Sequence, residues 1–489
     1  MKLKIKILKF LAGKPVCMVH EETAKDMSLH VDNRVSIKKN KKNLVSIVDF
    51  SKALNRNEIA VSDEIVKILK LKKGDLVDVG VTERPQSIDL IRKKLNGQEL
   101  TKKEIKEIVK DIAENELRDS EIAFFISAIY EKGMSLRETD DLISAMVKSG
   151  TRLRLRGKVA DKHSIGGVAG NRTTPIVISI CTTTSLVMPK TSSRAITSAA
   201  GTADTIETLA KVDFSVQEIK DILKKTNACF VWGGTLGLAP ADDRIIKVGR
   251  MMKIDPTSQL LASILSKKIS VDSKYVLIDI PFGRSAKVSK RQAEKLKTKF
   301  LYLGKKFDLK LEVVLTDGRN PIGMGVGPVL EMRDVIRVLR GDKDAPKDLK
   351  EKSIILSGRI LEMTEKAKPG KGYELAKQIL ESGKAWIKFQ EIIIAQQGKI
   401  KKLTPGKHKY TIRAKKNGKI NHISNNLINN LARLAGCPED KSAGVYFYKK
   451  LGKIKQGEKI FCIYATSEEK LEYARKFYHK NKKNIIEIK

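Results

Sequence analysis

Two stretches of this 489-residue chain concentrate hydroxyls, glycines and fixed cations. The first is DKHSIGGVAGN, residues 161–171. Lys162 brings a full positive charge, Ser164 a hydroxyl donor, and Gly166, Gly167 and Gly170 an open backbone. A glycine turn that opens a helix lets peptide N–H groups approach an anion, and the helix N-terminus adds partial positive charge. Taken alone, such a turn is equally an ordinary strand-to-helix connection. The second stretch is KTSSRAITSAAGTAD, residues 190–204. Ser192, Ser193, Thr197, Ser198 and Thr202 are donors, and Arg194 is a planar fork suited to phosphate oxygens. The alternative there is a helix with a hydroxyl-rich face. Both stretches follow strand-like segments, KVADKHS and SLVMPKTSS. Loops that leave two strands of one sheet converge at the strand carboxyl ends, where α/β proteins bind ligands. Together the two stretches point to phosphate far more strongly than either does alone.

The elements that must position them are readable along the chain. Residues 1–84 show period-two alternation, as in KLKIKIL, and predict a small β-rich domain. LKLKKGDLVDVGV within it reads as a strand pair turned at Gly74. Residues 85–156 are helical in texture: Thr101 with Glu104 and Ser135 with Glu138 have capping-box spacing, Asp119 is a predicted N-cap, and Gly150 a stop. Residues 238–270 are helical again and are expected to rejoin that lobe, with the ligand in a cleft between lobes. Residues 157–237 and 271–404 alternate strands with helices, among them NRTTPIVISICTTT, ETLAKV and SVQEIKDILKKT. That alternation predicts a parallel or mixed α/β sheet. Residues 405–489 form an α+β tail. GMGVG, residues 323–327, reads as a packing turn, and His163 as a structural neighbour of Lys162.

Composition narrows the function. Lys plus Arg exceeds Asp plus Glu by 96 − 57 = 39 charges. The excess is lysine spread along the whole chain, which reads as a solvated surface. A nucleic-acid-binding protein is the rival that charge raises. Only 5% of residues are aromatic, which leaves little for base stacking. The five cysteines, Cys17, Cys181, Cys229, Cys437 and Cys462, are odd in number and contain no CxxC, so neither a disulfide framework nor a zinc site is indicated. A reduced, cytoplasmic setting is expected. The N-terminal MKLKIKILKFLAGKP alternates lysines with apolar residues and lacks the unbroken apolar run of a signal peptide. No segment reads as a membrane span.

KHSIGG, SSRAITSAAGTAD and ASILSKK resemble the three signature segments of the thymidine and pyrimidine nucleoside phosphorylase family, and the resemblance covers roughly residues 87–489. GGTLGLAPADD, KIDPTSQLLASILSKK and the β-rich extension before residue 85 are similar to the family's archaeal branch acting on nucleoside 5′-monophosphates. The resemblance implies a helical lobe interrupted by a mixed-sheet α/β domain, then a C-terminal α+β subdomain. It implies phosphorolysis of AMP to adenine and ribose 1,5-bisphosphate. CMP and UMP are implied as further substrates, in a salvage route feeding a ribulose bisphosphate carboxylase. It implies no cofactor or metal beyond inorganic phosphate as co-substrate, and a homodimer or larger homo-oligomer, with the N-terminal domain as a possible assembly element.

Residue by residue, Lys162, Ser164, Ser192 and Thr202 fall on the family's inorganic-phosphate positions. Gly167, Ser193, Arg194, Ala195, Ile196, Thr197, Ser198, Thr202, Ser263 and Lys287 fall on the branch's nucleotide positions. Lys267 matches a base-contacting lysine, and Asp255 the proton donor to the leaving base. Asp255 also precedes Pro256 and so reads as a helix cap. Two features depart from the pyrimidine enzymes. Their base-reading arginine would fall near Val248, with Arg250 two places on, and ISICTTTSLVMP is richer in hydroxyls, an expected packing change. A nucleoside phosphorylase working without the 5′-phosphate is the alternative within the family.

Overall fold

The computed structural model describes every residue except Lys41, Ile196, Thr197 and the side chain of Thr235. The chain divides into two compact units, residues 1–149 with 240–262 and residues 150–239 with 263–489.

The first unit begins with a closed six-stranded barrel of order β1-β5-β2-β4-β3-β6. Its strands are β1 (Lys2–Ile7), β2 (Val16–Val19), β3 (Arg34–Lys39), β4 (Lys42–Phe50), β5 (Glu58–Val61) and β6 (Leu76–Val81). The alternation of KLKIKI buries Leu3 and Ile5 in the barrel core, while Lys2 and Lys4 stay exposed. Two short helices accompany the barrel, α1 (Glu21–Asp26) and α2 (Asp63–Leu69). The strand pair expected around Gly74 is corrected here. Its first arm, residues 69–73, holds only the last residue of α2, which buries Ile65 and Leu69 four residues apart and closes at Lys70 in the left-handed region, φ 53°; residues 70–73 are turn and irregular backbone. Only β6 is a strand.

Four helices follow: α3 (Ser87–Leu95), α4 (Lys102–Ala113), α5 (Asp119–Lys132) and α6 (Leu136–Ser149). Both predicted capping boxes form. Thr101 N–H donates to the Glu104 carboxylate at 2.7 Å and Glu104 N–H to Thr101 Oγ1 at 3.4 Å. Ser135 and Glu138 exchange the same two bonds. Asp119 is the first residue of α5 rather than its cap; the cap is Arg118, whose N–H donates to Glu121 at 2.8 Å. The helix α10 (Pro240–Met252) packs on α4, α5 and α6 in this same unit. Its Arg244 donates to the Ile112 and Leu117 carbonyls.

The second unit holds β7 (Ala160–Ser164), β8 (Met188–Ser192), β9 (Ala228–Trp232), β10 (Tyr275–Phe282) and β11 (Lys310–Asp317). β11, β10 and β7 pair in that order, β8 pairs with β9, and a bridge from Val159 to Val187 joins the two sets. Every described pairing among these strands is parallel, so the mixed sheet expected here is corrected to a parallel one. β10 is buried along nearly its whole length, as a strand covered on both faces must be. α7 (Thr173–Thr182), α8 (Thr202–Ile206), α9 (Val216–Thr226), α12 (Lys290–Lys306) and α14 (Lys347–Met363) pack on these strands; α13 (Pro328–Arg340), α15 (Gly372–Glu381) and α16 (Lys384–Ala395) also belong to this unit, and α11 (Thr257–Ser270) joins it from residue 263 on. The helix expected over ETLAKV lies earlier: α8 starts at Thr202, where Asp204 accepts the Gly201 N–H at 2.8 Å, and it ends at Ile206. The hydroxyls of ISICTTT serve packing. Ser179 and Thr182 donate to carbonyls four residues back, at 2.8 and 2.7 Å, which lets α7 bury them against α14 and α16.

The C-terminal part pairs β12 (Gly325–Val326) with β15 (Gly444–Phe447), β17 (Lys459–Ala465) and β13 (His408–Arg413). A second sheet joins β16 (Gly452–Ile454), β14 (Gly418–Ile423) and β18 (Ile486–Ile488). Helices α17 (Asn425–Leu434) and α18 (Glu468–Ile485) complete it. The glycine turn before α13 is a packing turn. Met324 and Gly325 N–H groups both donate to Asp334 at 2.6 Å, and Gly327 donates to Glu331 at 3.0 Å.

Candidate active site

β7 and β8 lie side by side, and each ends in a serine from which one of the two hydroxyl-rich loops departs. After β7, Gly166, Gly167 and Gly170 take φ values of 84°, 88° and 72°, a region that side chains with a Cβ rarely adopt. A Cβ on Gly167 would sit 2.7 Å from the Lys287 backbone, so this glycine brings two of the predicted nucleotide positions together. The Lys162 side chain beneath the loop is fully buried. Its ammonium donates to Thr173 Oγ1 at 2.8 Å and Thr174 Oγ1 at 3.4 Å, at the start of α7. Burial pushes this lysine down to about 8. Asn171 donates to Ser164 Oγ at 3.4 Å.

After β8, the loop folds back around one carboxylate. Asp204 accepts the N–H groups of Ala195 at 2.7 Å and Gly201 at 2.8 Å. Ser192 donates to the Val231 carbonyl at 3.4 Å, and Ser198 to that of Ala200 at 2.8 Å. The Arg194 guanidinium makes two bonds to Glu207, at 2.7 and 2.9 Å, and one to Asp204 at 3.2 Å. It also lies over the Trp232 ring, 5.0 Å from its centroid. The other cation of this stretch, Lys190, is buried between Asp161 Oδ1 at 3.3 Å and the Lys162 carbonyl at 2.8 Å. Ile196 and Thr197 lie outside the described residues.

Contacts absent from the sequence reading bind the two loops into one assembly. Arg172, at the foot of the first loop, donates to Thr202 Oγ1 at 2.9 Å and to the Ala200 carbonyl at 2.7 Å in the second. Its third nitrogen, Nε, donates to buried Glu331 at 2.7 Å. With Arg172 donating into its oxygen, the Thr202 hydroxyl keeps its own proton for another acceptor. From the other side, α17 presents two asparagines one turn apart. Asn425 Oδ1 accepts Ala169 N–H at 3.0 Å, and Asn429 Oδ1 accepts Ala199 N–H at 3.1 Å. The doubled Asn pairs of NNLINNL, four residues apart on an amphipathic helix, carried that signal.

The remaining predicted residues lie elsewhere. Ser263 and Lys267 are one turn apart on α11. Lys287 sits in the turn after β10, which lines an open depression of about 540 Å3. His163 is held neutral: burial and the lysines around it push its pKa well below the usual histidine range. Asp255 belongs to the first unit, two residues before α11, and is exposed.

A parallel sheet that ends adjacent strands in hydroxyl-bearing loops, one over a buried ammonium, gathers the donors an anion needs. Three family models place it in a wider class. The helical bundle domain of a glycosyl transferase family matches residues 88–150, and the a/b domain of a glycosyl transferase family matches residues 156–386. The pyrimidine nucleoside phosphorylase C-terminal domain matches residues 419–484. The chain is thus a glycosyl transferase by fold and composition of domains. AMP phosphorylases from Thermococcus kodakarensis, Pyrococcus furiosus and Methanocaldococcus jannaschii are 44%, 42% and 41% identical to it, each over 97% of this chain and 95% of the relative. The chain belongs to the AMP phosphorylase family. An anthranilate phosphoribosyltransferase structure from Thermus thermophilus shares the fold alone, with 17% identity, a TM-score of 0.53, and coverage of 63% of this chain and 99% of that one.

Proposed function

We infer that the chain catalyses the phosphorolysis of AMP, giving adenine and ribose 1,5-bisphosphate. The observation that carries this reading is the pair of anion-ready loops on adjacent strands, tied together by Arg172, in a chain of the AMP phosphorylase family. The reaction involves two phosphates, the attacking one and the 5′-phosphate of the nucleotide. The first loop, with Lys162 and Ser164, holds inorganic phosphate together with Ser192 and Thr202. The second, from Ser193 to Ser198, takes the nucleotide with Gly167, Ser263 and Lys287, and Lys267 meets the base. A phosphate oxygen attacks C1′ as the glycosidic bond breaks, and its electron pair leaves with the base. Asp255 protonates the departing base.

CMP and UMP are further substrates in this reading, and the product enters a salvage route feeding a ribulose bisphosphate carboxylase. The enzyme uses no metal or organic cofactor and acts in the cytoplasm as a homodimer or larger homo-oligomer. The match of residues 419–484 to a pyrimidine nucleoside phosphorylase domain favours a second reading, a phosphorylase that takes nucleosides. The test is incubation with AMP, with and without inorganic phosphate, and identification of the sugar product. Phosphate-dependent adenine release with ribose 1,5-bisphosphate is expected. Adenine release that ignores phosphate contradicts the reading.

A further inference from the structure

Beneath the first loop lies a buried cluster of three charges on three elements. Lys162 comes from β7, Asp279 from β10 and Lys352 from α14, and their exposures are 0%, 0% and 8%. Asp279 Oδ1 accepts the Thr316 hydroxyl at 2.6 Å. Its Oδ2 is 3.0 Å from Lys352 Nζ but 3.9 Å from Lys162 Nζ. The nearer cation is therefore the one that belongs to no sequence motif. Lys162 turns instead to the two threonine hydroxyls of α7. The Lys352 ammonium makes no aligned hydrogen bond with any described acceptor, and the Asp279 carboxylate is its closest counter-charge.

This is an expensive arrangement for folding alone. A buried ammonium is tolerated when paired and hydrogen-bonded. Here two ammoniums share one carboxylate, and the cluster carries one positive charge in excess at the foot of an anion-binding loop. Asn171 links the cluster to the loop, donating to Asp279 Oδ2 at 3.5 Å and to Ser164 Oγ at 3.4 Å.

We propose that Lys352 is a positioning residue for the attacking phosphate: by neutralising Asp279 it keeps the Lys162 ammonium on Thr173 and Thr174, and it leaves the positive charge that the phosphate completes. The inference rests on the reading of Lys162 as the phosphate-side cation. Without Lys352, the buried carboxylate has one remaining cation within reach. Lys162 closes the 3.9 Å gap to Asp279, and the cluster becomes neutral.

The test is a double-mutant cycle read in the KM values for phosphate and for AMP, with thermal melts to show that each variant is folded. Lys352→Met is expected to raise the phosphate KM about 10-fold or more, the effect of weakening one hydrogen bond to a charged group, while the AMP KM changes less than about twofold. Lys352→Met combined with Asp279→Asn restores the single positive charge. It is expected to return the phosphate KM to within about threefold of the parent, although it removes two charged groups. A merely structural lysine predicts the opposite order, with the double variant at least as impaired as the single. That order overturns the proposal, as does an equal rise in both KM values. Asp279→Asn alone leaves both cations and should not raise the phosphate KM; a rise of about 10-fold there contradicts the proposal even if Lys352→Met does not fold. Lys162→Met separates the two levels. If it leaves the phosphate KM unchanged, the reading of Lys162 itself falls. If it raises that KM while Lys352→Met does not, only the role of Lys352 falls.

Discussion

The loops after β7 and β8 both present hydroxyls at strand ends, yet they hold their cations in opposite ways. Lys162 is sealed from water, bound to neutral hydroxyls and short of counter-charge. Arg194 is about a third exposed and stands among Glu207, Asp204 and Asp213, with Trp232 beneath it. Glu207 is itself gripped by Lys441 at 2.8 Å, and its cationic partners hold its carboxyl down to about 2. A buried cation held mainly by neutral hydroxyls is a fixed receptor, ready for an anion that always sits in one place. A cation held among carboxylates gains a phosphate only by exchanging partners. The difference suits a co-substrate of constant shape on the first loop and a larger ligand, whose binding rearranges its surroundings, on the second.

That contrast can be broken or sharpened by substitution. The largest effect is expected outside both loops. Asp255→Asn should cut turnover about 10²–10⁴-fold, the usual weight of general acid catalysis, and leave both KM values near normal. Near-normal kcat in that variant would move the acid elsewhere. Lys162→Met should raise the phosphate KM by about 10- to 100-fold, the loss of one charge-assisted contact, with little change for AMP. Arg194→Ala should raise the AMP KM about 10-fold and leave adenosine almost unaffected, which steady-state assays on the two substrates will show. Equal losses would make Arg194 a strut that holds its loop on Glu207 and Trp232.

Smaller effects should follow the same division. Asn425→Ala and Asn429→Ala each leave one buried peptide N–H unpaired, at a cost of about 1–3 kcal/mol. Thermal melts should register both. Asn425→Ala should raise mainly the phosphate KM, through Ala169, and Asn429→Ala mainly the AMP KM, through Ala199. The mildest probe is pH. The lowered Lys162 ammonium, at about 8, loses its proton as pH rises through that value. The phosphate KM should therefore climb on the alkaline side of pH 8, while the AMP KM stays level.

The sequence carried the elements well wherever a local rule decided them. Capping-box spacing located the starts of α4 and α6, and alternation located β1. It failed where a tertiary contact decided. The arm before Gly74 is no strand because α2, burying Ile65 and Leu69 on one face, runs up to Leu69 and closes at Lys70, and α8 begins early because Asp204 folds back onto Gly201. Hydroxyls, glycines and cations of the site were legible because they sit within two short stretches. Their supports were not. Arg172, Asn425, Asn429 and Lys352 are scattered over nearly 260 residues of chain, and only the fold brings them to the two loops. The orientation of Arg194 toward carboxylates was equally invisible, since Glu207 and Asp213 lie beyond the motif.

The proposed reaction requires two phosphates to be held at once, the attacking one mainly at the first loop and that of the nucleotide mainly at the second. The most direct measurement is kcat/KM for AMP against kcat/KM for adenosine at saturating phosphate. A preference for AMP of about 100-fold or more is expected, equal to about two charge-assisted contacts to the 5′-phosphate. Adenosine cleaved as efficiently as AMP would contradict it.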